Sequence, residues 1–194
     1  MKRNFLLAAV AIVSLFSLSS CSTYNNMVTL DEGVAQAWAN VETQYQRRAD
    51  LIPNLVNTVK GYATHERESL TDVVAARSRA TSIQMDASKL TGENIAAYQQ
   101  AQSEVGSALG RLIAISESYP DLKANQNFVE LQAQLEGTEN RISVARADFN
   151  RLTREYNSAI RRFPANMIAN YFEFETKPYF EASASAATAP TVEF

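Results

Sequence analysis

One cysteine and one histidine occur in 194 residues. A single cysteine, Cys21, excludes an intrachain disulfide. A single histidine, His65, cannot assemble the several His or Cys ligands that zinc wants. It cannot supply the paired Glu-x-x-His motifs of a di-iron bundle either, and Tyr62 stands three places before it. No glycine-rich phosphate loop and no G-x-S-x-G nucleophile turn are present. Lys and Arg number 18 against 21 Asp and Glu, so no basic surplus seeks nucleic acid. Six glycines and five prolines leave few helix breakers. The expectation is therefore no cofactor, no metal ligands and no catalytic residues.

The longest apolar run, residues 5–16, is broken only by Ser14. It is too short to span a bilayer, which takes ~20 residues. Lys2 and Arg3 precede it, and Leu18-Ser19-Ser20-Cys21 follows. A basic start, an apolar stretch and small residues at a cut site make a secretory signal peptide. Leu18-Ser19-Ser20-Cys21 resembles the bacterial lipobox. That resemblance implies cleavage between Ser20 and Cys21, a diacylglycerol on the Cys21 sulfur and a further acyl group on the new amine. Two or more chains give stable anchoring, at ~0.8 kcal/mol per buried CH₂. The expected organisation is a lipoprotein signal peptide over 1–20, a tether over 21–29, a helical bundle over 30–180 and a flexible tail over 181–194.

Helical periodicity dominates the rest. Helix one is expected from Leu30-Asp31-Glu32, whose acids suit a helix N-terminus. Its stripe reads Val34, Ala37 or Trp38, Val41, Tyr45, Arg48, Ile52, Leu55, Val59, Tyr62. Arg48 falls on this seam, where an unpaired charge is costly, so an acid from helix three or four should pair with it. Pro53 lacks an N–H and crowds the carbonyl of Ala49, so it should kink the helix or restart it with Asp50 as the cap. Gly61 suits the helix end, with Thr64 or His65 opening helix two (Leu70, Val73, Val74, Arg77, Ala80). Residues 81–93 read as a loop. Helix three carries Ile95, Tyr98, Gln102, Val105, Leu109 and Leu112, and its Ala101, Gly106, Ser107, Ala108 and Gly110 suggest a closely approaching neighbour. Helix four has an unbroken stripe from Phe128 to Phe163 before Pro164. An aromatic segment follows, containing Tyr171, Phe172, Phe174, Tyr179 and Phe180, and then an Ala/Ser-rich tail.

Three long stretches resemble the LemA family: "LDEGVAQAWANVETQYQRRADLIPNLVNTVKGYATHE", "LGRLIAISESYPDLKANQNFVELQAQLEGTENRISVARADFNRLTREYN" and the ending "FPANMIANYFEF…KPYF…VEF". The resemblance implies an all-α, antiparallel up-and-down four-helix bundle with long helices, membrane-tethered and outward-facing. It implies no agreed activity. Family members are often encoded near membrane zinc metalloproteases and TPM-domain proteins, which implies envelope partners. Many relatives carry a transmembrane helix where this chain has its lipobox.

These features lead to a lipid-anchored scaffold or adaptor of the cell envelope, not an enzyme, with no nucleic-acid partner. Ser22 after the anchor points to the outer membrane, facing the periplasm, in a cell that has one. At the end of the chain, Val192 and Phe194 have the apolar-x-apolar spacing that a PDZ groove of an envelope protease would accept. Two alternatives are a lipid- or small-molecule-binding bundle, from the aromatic segment, and a cell-wall hydrolase using Glu104 or Glu117 with Glu139.

Overall fold

The computed structural model describes residues 2–63 and 65–181, with side chains from residue 21 onward. All its regular elements are helical, and no strand occurs among the described residues. They are α1 (Lys2–Lys60), α2 (Arg67–Ser82), α3 (Gly92–Ser116), α4 (Pro120–Lys123), α5 (Gln126–Arg161) and α6 (Ala165–Tyr171), with a 3-10 turn at Ala87–Lys89 between α2 and α3. α1 and α5 form the main antiparallel pair. Stepping back along α1 from Tyr62, just past its end, to Arg48 to Trp38 moves the partner forward from Asn125 to Glu139 to Phe149. α2 and α3 complete the bundle, cross-linked at Arg79–Glu104 (3.1 Å) and Arg111–Asp72 (3.5 Å).

Local chemistry sets the ends. Thr91 and Asn94 form a reciprocal capping box that starts α3, and the Asn125 side chain accepts from the Phe128 N–H to start α5. Asn125 also donates to the Tyr62 hydroxyl (2.9 Å), and Tyr119 donates to Glu66 (3.1 Å), so the turns at this end are tied together.

Several expected boundaries shift. Helix one does not begin at Leu30. Residues 21–29 are already helical, and Met27 is buried, so there is no loose tether there. Tyr62 and Phe163 lie past the helix ends and are exposed, because a stripe stops facing the core where its helix stops. α2 opens at Arg67 after Glu66, later than Thr64 or His65, and extends to Ser82. Its buried face is Leu70, Val73, Ala76 and Ala80, while Val74 points outward. On α3, Gly106 and Gly110 do not mark close approach: a Cβ at Gly110 would meet nothing within 4 Å, and one at Gly106 would only reach Arg48 at 4.0 Å.

Pro53 does not restart the helix. α1 continues through it to Lys60, and Asp50 accepts from the Gln46 side chain (2.7 Å) instead of capping. The missing N–H of residue 53 would have served the Ala49 carbonyl. Arg77 of α2 serves it instead, its Nε donating to the Ala49 oxygen at 2.7 Å. Arg77→Met should therefore cost ~1–3 kcal/mol by stranding that carbonyl. In a Pro53→Ala background the restored N–H relieves it, and the same change should cost ~1 kcal/mol less. Urea unfolding of the double-mutant cycle checks this; strictly additive costs would refute it.

Candidate functional site

The core divides into two apolar clusters. One, toward the α1–α2 turn, contains Ile52, Leu55, Val59, Val105, Leu109, Leu112 and Phe128. The other, toward Cys21, contains Met27, Val34, Trp38, Tyr45, Tyr98, Phe149, Tyr156 and Phe180. Between them lies a polar layer. Arg48, 4% exposed, crosses the bundle from α1. Its Nη1 donates to Glu139 of α5 (2.8 Å), and its Nη2 donates to both the main-chain oxygen (2.8 Å) and side-chain oxygen (2.7 Å) of Gln102 on α3. The guanidinium also lies over the Tyr45 ring, 5.1 Å from its centroid. Nε has no partner. The acid that meets Arg48 is on α5, the helix four expected from the sequence, and its side chain is largely solvent-facing.

This layer opens on two sides. A cleft of about 290 Å³ is lined by Arg48, Glu139, Arg146, Gln99, Ser103 and Ser107. Across the Tyr45–Gln102 wall, a surface groove of about 690 Å³ runs past Glu42, Gln46, Asp50, Tyr98 and Met85. Burial raises the Glu42 carboxyl above its ordinary value. Burial likewise raises the Tyr45 and Tyr98 hydroxyls, the neighbouring Glu42 adding to the shift of Tyr98, so both stay protonated. Protonated phenols can donate hydrogen bonds, but neither they nor the half-buried Glu42 carboxyl bring a nucleophile and base together.

The three carboxylates considered for hydrolysis go to different cations: Glu104 to Arg79, Glu117 to Lys123, Glu139 to Arg48. His65 is exposed.

A second feature was not signalled by periodicity. Beyond α6 the chain turns at Glu173, whose φ of 58° is left-handed, and the Phe174 N–H bonds back to the Ala169 oxygen (2.9 Å). Residues 174–181 then run as a strap back along α5. Asn157 accepts from the Lys177 N–H and donates to the Lys177 carbonyl (both 2.8 Å). Asn150 does the same for Phe180, accepting at 2.9 Å and donating at 3.0 Å. Seven helical residues rise ~10.5 Å, and three extended residues span about the same length. The two asparagines therefore meet the strap in register. Lys177 also pairs with Asp31 (2.5 Å). The Tyr156 hydroxyl donates to the Glu175 carbonyl (3.0 Å), and burial raises its pKa to about 12. Phe180 stacks on Trp38 with centroids 5.8 Å apart, and the Glu181 carbonyl accepts from Gln99 of α3 and Arg146 of α5. The only hint in the sequence was two asparagines one heptad apart on α5.

Of the other residues singled out in the sequence, Cys21 is exposed near the end where α1 meets α6. Side-chain detail at Ser20 lies outside the described residues, as do Val192 and Phe194 entirely. Among the described residues, no helix is long and apolar enough to cross a membrane.

Comparison with known proteins is consistent along nearly the whole chain. The LemA family model matches residues 37–194. Magnetosome protein MamQ of Magnetospirillum gryphiswaldense is 28% identical, over 94% of this chain and 74% of its own. Magnetosome protein MamQ 2 of Paramagnetospirillum magneticum is 27% identical, over 93% and 72%. Protein LemA of Metamycoplasma hominis is 22% identical, over 92% and 78%.

Proposed function

This chain belongs to the LemA family, and from that premise we propose that it is a lipid-anchored envelope protein that acts as a scaffold rather than an enzyme. The observation carrying this reading is the arrangement of the rod. Cys21 stands exposed at one end of a bundle whose interior is filled by Trp38, Phe128, Phe149 and Tyr156. The α1–α5 pair then extends away from it, with the 36 residues of α5 covering ~54 Å. A filled rod offers its outer faces and its tail to partners, not an interior chamber. The polar layer at Arg48 has a structural part in this scheme, fixing the register of α1 against α3 and α5. The lipobox and Ser22 direct the protein to the outer membrane of a two-membrane cell, with the rod in the periplasm. The last residues, Val192 and Phe194, would add as a strand to a PDZ groove of an envelope protease.

Cys21→Ala should leave the leader uncleaved or release the protein from membranes, and the mature wild-type chain should carry acyl mass on residue 21. An unmodified Cys21 in the mature protein would refute the anchor. The tail is tested by titrating the last ten residues, as free acid and as carboxamide, against purified envelope PDZ domains. Carboxylate recognition requires the free acid to bind more tightly, at roughly micromolar affinity for so short a segment; equal binding, or none, rejects it.

A further inference from the structure

We propose that the Cys21 end of the bundle seats in the bilayer interface, with Phe163, Met167, Tyr171 and Phe172 entering the headgroup region beside the anchor. The proposal rests on the lipidation of Cys21 put forward above, and adds a second, non-covalent membrane contact.

The apolar surface is unusually open there. Phe163 is 82% exposed, Tyr171 80%, Met167 60% and Phe172 52%. Phe163 lies at the α5–α6 junction, Met167 within α6, and Tyr171 and Phe172 at its end, where their rings touch, 5.0 Å apart. Position identifies the occupant. The Tyr24 ring lies 4.7 Å from the Phe172 ring. Cys21 is three residues before Tyr24 in the same helix, ~4.5 Å along its axis. No slack separates anchor from bundle, because α1 is helical through 21–29 and Met27 is locked in the core. Acyl chains entering the membrane at Cys21 therefore carry this end to the lipid surface.

The chemistry suits that place. Aromatic rings concentrate at the membrane–water boundary, and side chains with an apolar body bury there without spanning. Exposed Arg161 and Arg162 precede Phe163, where guanidinium groups can meet lipid phosphates. Glu173 and Glu175 are also exposed near this end. The apolar rings, rather than net charge, are therefore the basis of the contact.

The test uses the full, lipidated chain in phosphatidylethanolamine–phosphatidylglycerol vesicles. A lipidated Cys21 carries no free thiol, so Phe163→Cys, Tyr171→Cys and Val129→Cys each provide a single site for a nitroxide. Val129 is an exposed control near the α1–α2 turn, at the opposite end. Collision with oxygen, which partitions into lipid, is compared with collision with a water-soluble nickel chelate. The oxygen-to-nickel ratio should be several-fold higher at positions 163 and 171 than at 129. It should fall to the value at 129 when the vesicles are dissolved and the lipid stripped. Vesicle flotation is scored on the same samples. Floating protein with water-like ratios at 163 and 171 overturns this proposal and leaves the anchor standing. Protein that does not float overturns both. Nitroxides at 171 that couple to each other, or that stay shielded without vesicles, would assign the patch to a second copy and overturn the membrane seat.

Discussion

Arg48→Met will destabilise the protein by ~2–3 kcal/mol, and adding Gln102→Leu will recover most of the loss. A stranded buried polar group costs ~1–3 kcal/mol, and at this chain length each kcal/mol moves the thermal midpoint by ~2–4 °C. The single variant should therefore melt roughly 4–12 °C lower. The asymmetry among Arg48's partners drives the result. Glu139 is mostly solvent-facing, so losing the arginine returns it to water at small cost. Gln102 is 7% exposed, and its side-chain oxygen loses its cationic donor. Replacing both residues with apolar ones of similar size removes the orphan and joins the two core clusters. Exchanging buried ionic groups for well-packed apolar ones is often neutral or stabilising. If stability returns while the amide spectrum broadens, the layer serves register rather than strength. An unchanged midpoint for Arg48→Met, or a double variant worse than either single change, would reject this account.

That layer was legible in part. A charge on an otherwise apolar seven-residue seam can survive only with a partner, so Arg48 announced a pairing. Gln102 sat in the α3 stripe, but its role depends on which helix approaches, and spacing along one helix cannot say that. The stripes of α3 and α5 were legible for the opposite reason: steps of three and four keep one face inward for as long as the helix lasts. Overextension produced the errors. Tyr62 and Phe163 continue the period in number, but the backbone has already turned. Residues 21–29 failed differently. Ser, Thr and Asn dominate "CSTYNN", and such composition reads as a tether. Only the return of Phe172 and Phe174 against Tyr24 makes that turn of helix worth forming. Pro53 misled locally as well. Its cost is real, but a side chain from α2 meets the carbonyl it leaves free, and no rule about one helix contains that remedy.

The strap gives the second large effect, Asn150→Ala/Asn157→Ala detaching residues 174–181 while the helices stay folded. Each net hydrogen bond contributes ~1 kcal/mol, and the pair together makes five, one of them from Asn157 to the Tyr179 hydroxyl. Without them the main chain of Lys177 and Phe180 must find water, which pulls Phe180 out of its place beside Trp38. Burial of one such ring is worth ~1.5–3 kcal/mol and opposes release. The expected balance is ~2–4 kcal/mol lost from docking. At 1.4 kcal/mol per factor of ten, amide exchange at Lys177 and Phe180 should quicken ~30- to 700-fold. Exchange at Ile52, Leu109 and Leu135, in the other core cluster, should be nearly unaffected. Trp38 is the sole tryptophan, and its ring carries Phe180 on one face. Its emission should therefore shift to longer wavelength as water reaches the indole, and Phe180→Ala should reproduce much of that shift with both asparagines intact. Emission that stays blue in the double variant, with Lys177 and Phe180 amides still protected, would mean that ring packing and the Lys177–Asp31 pair hold the strap without the asparagines.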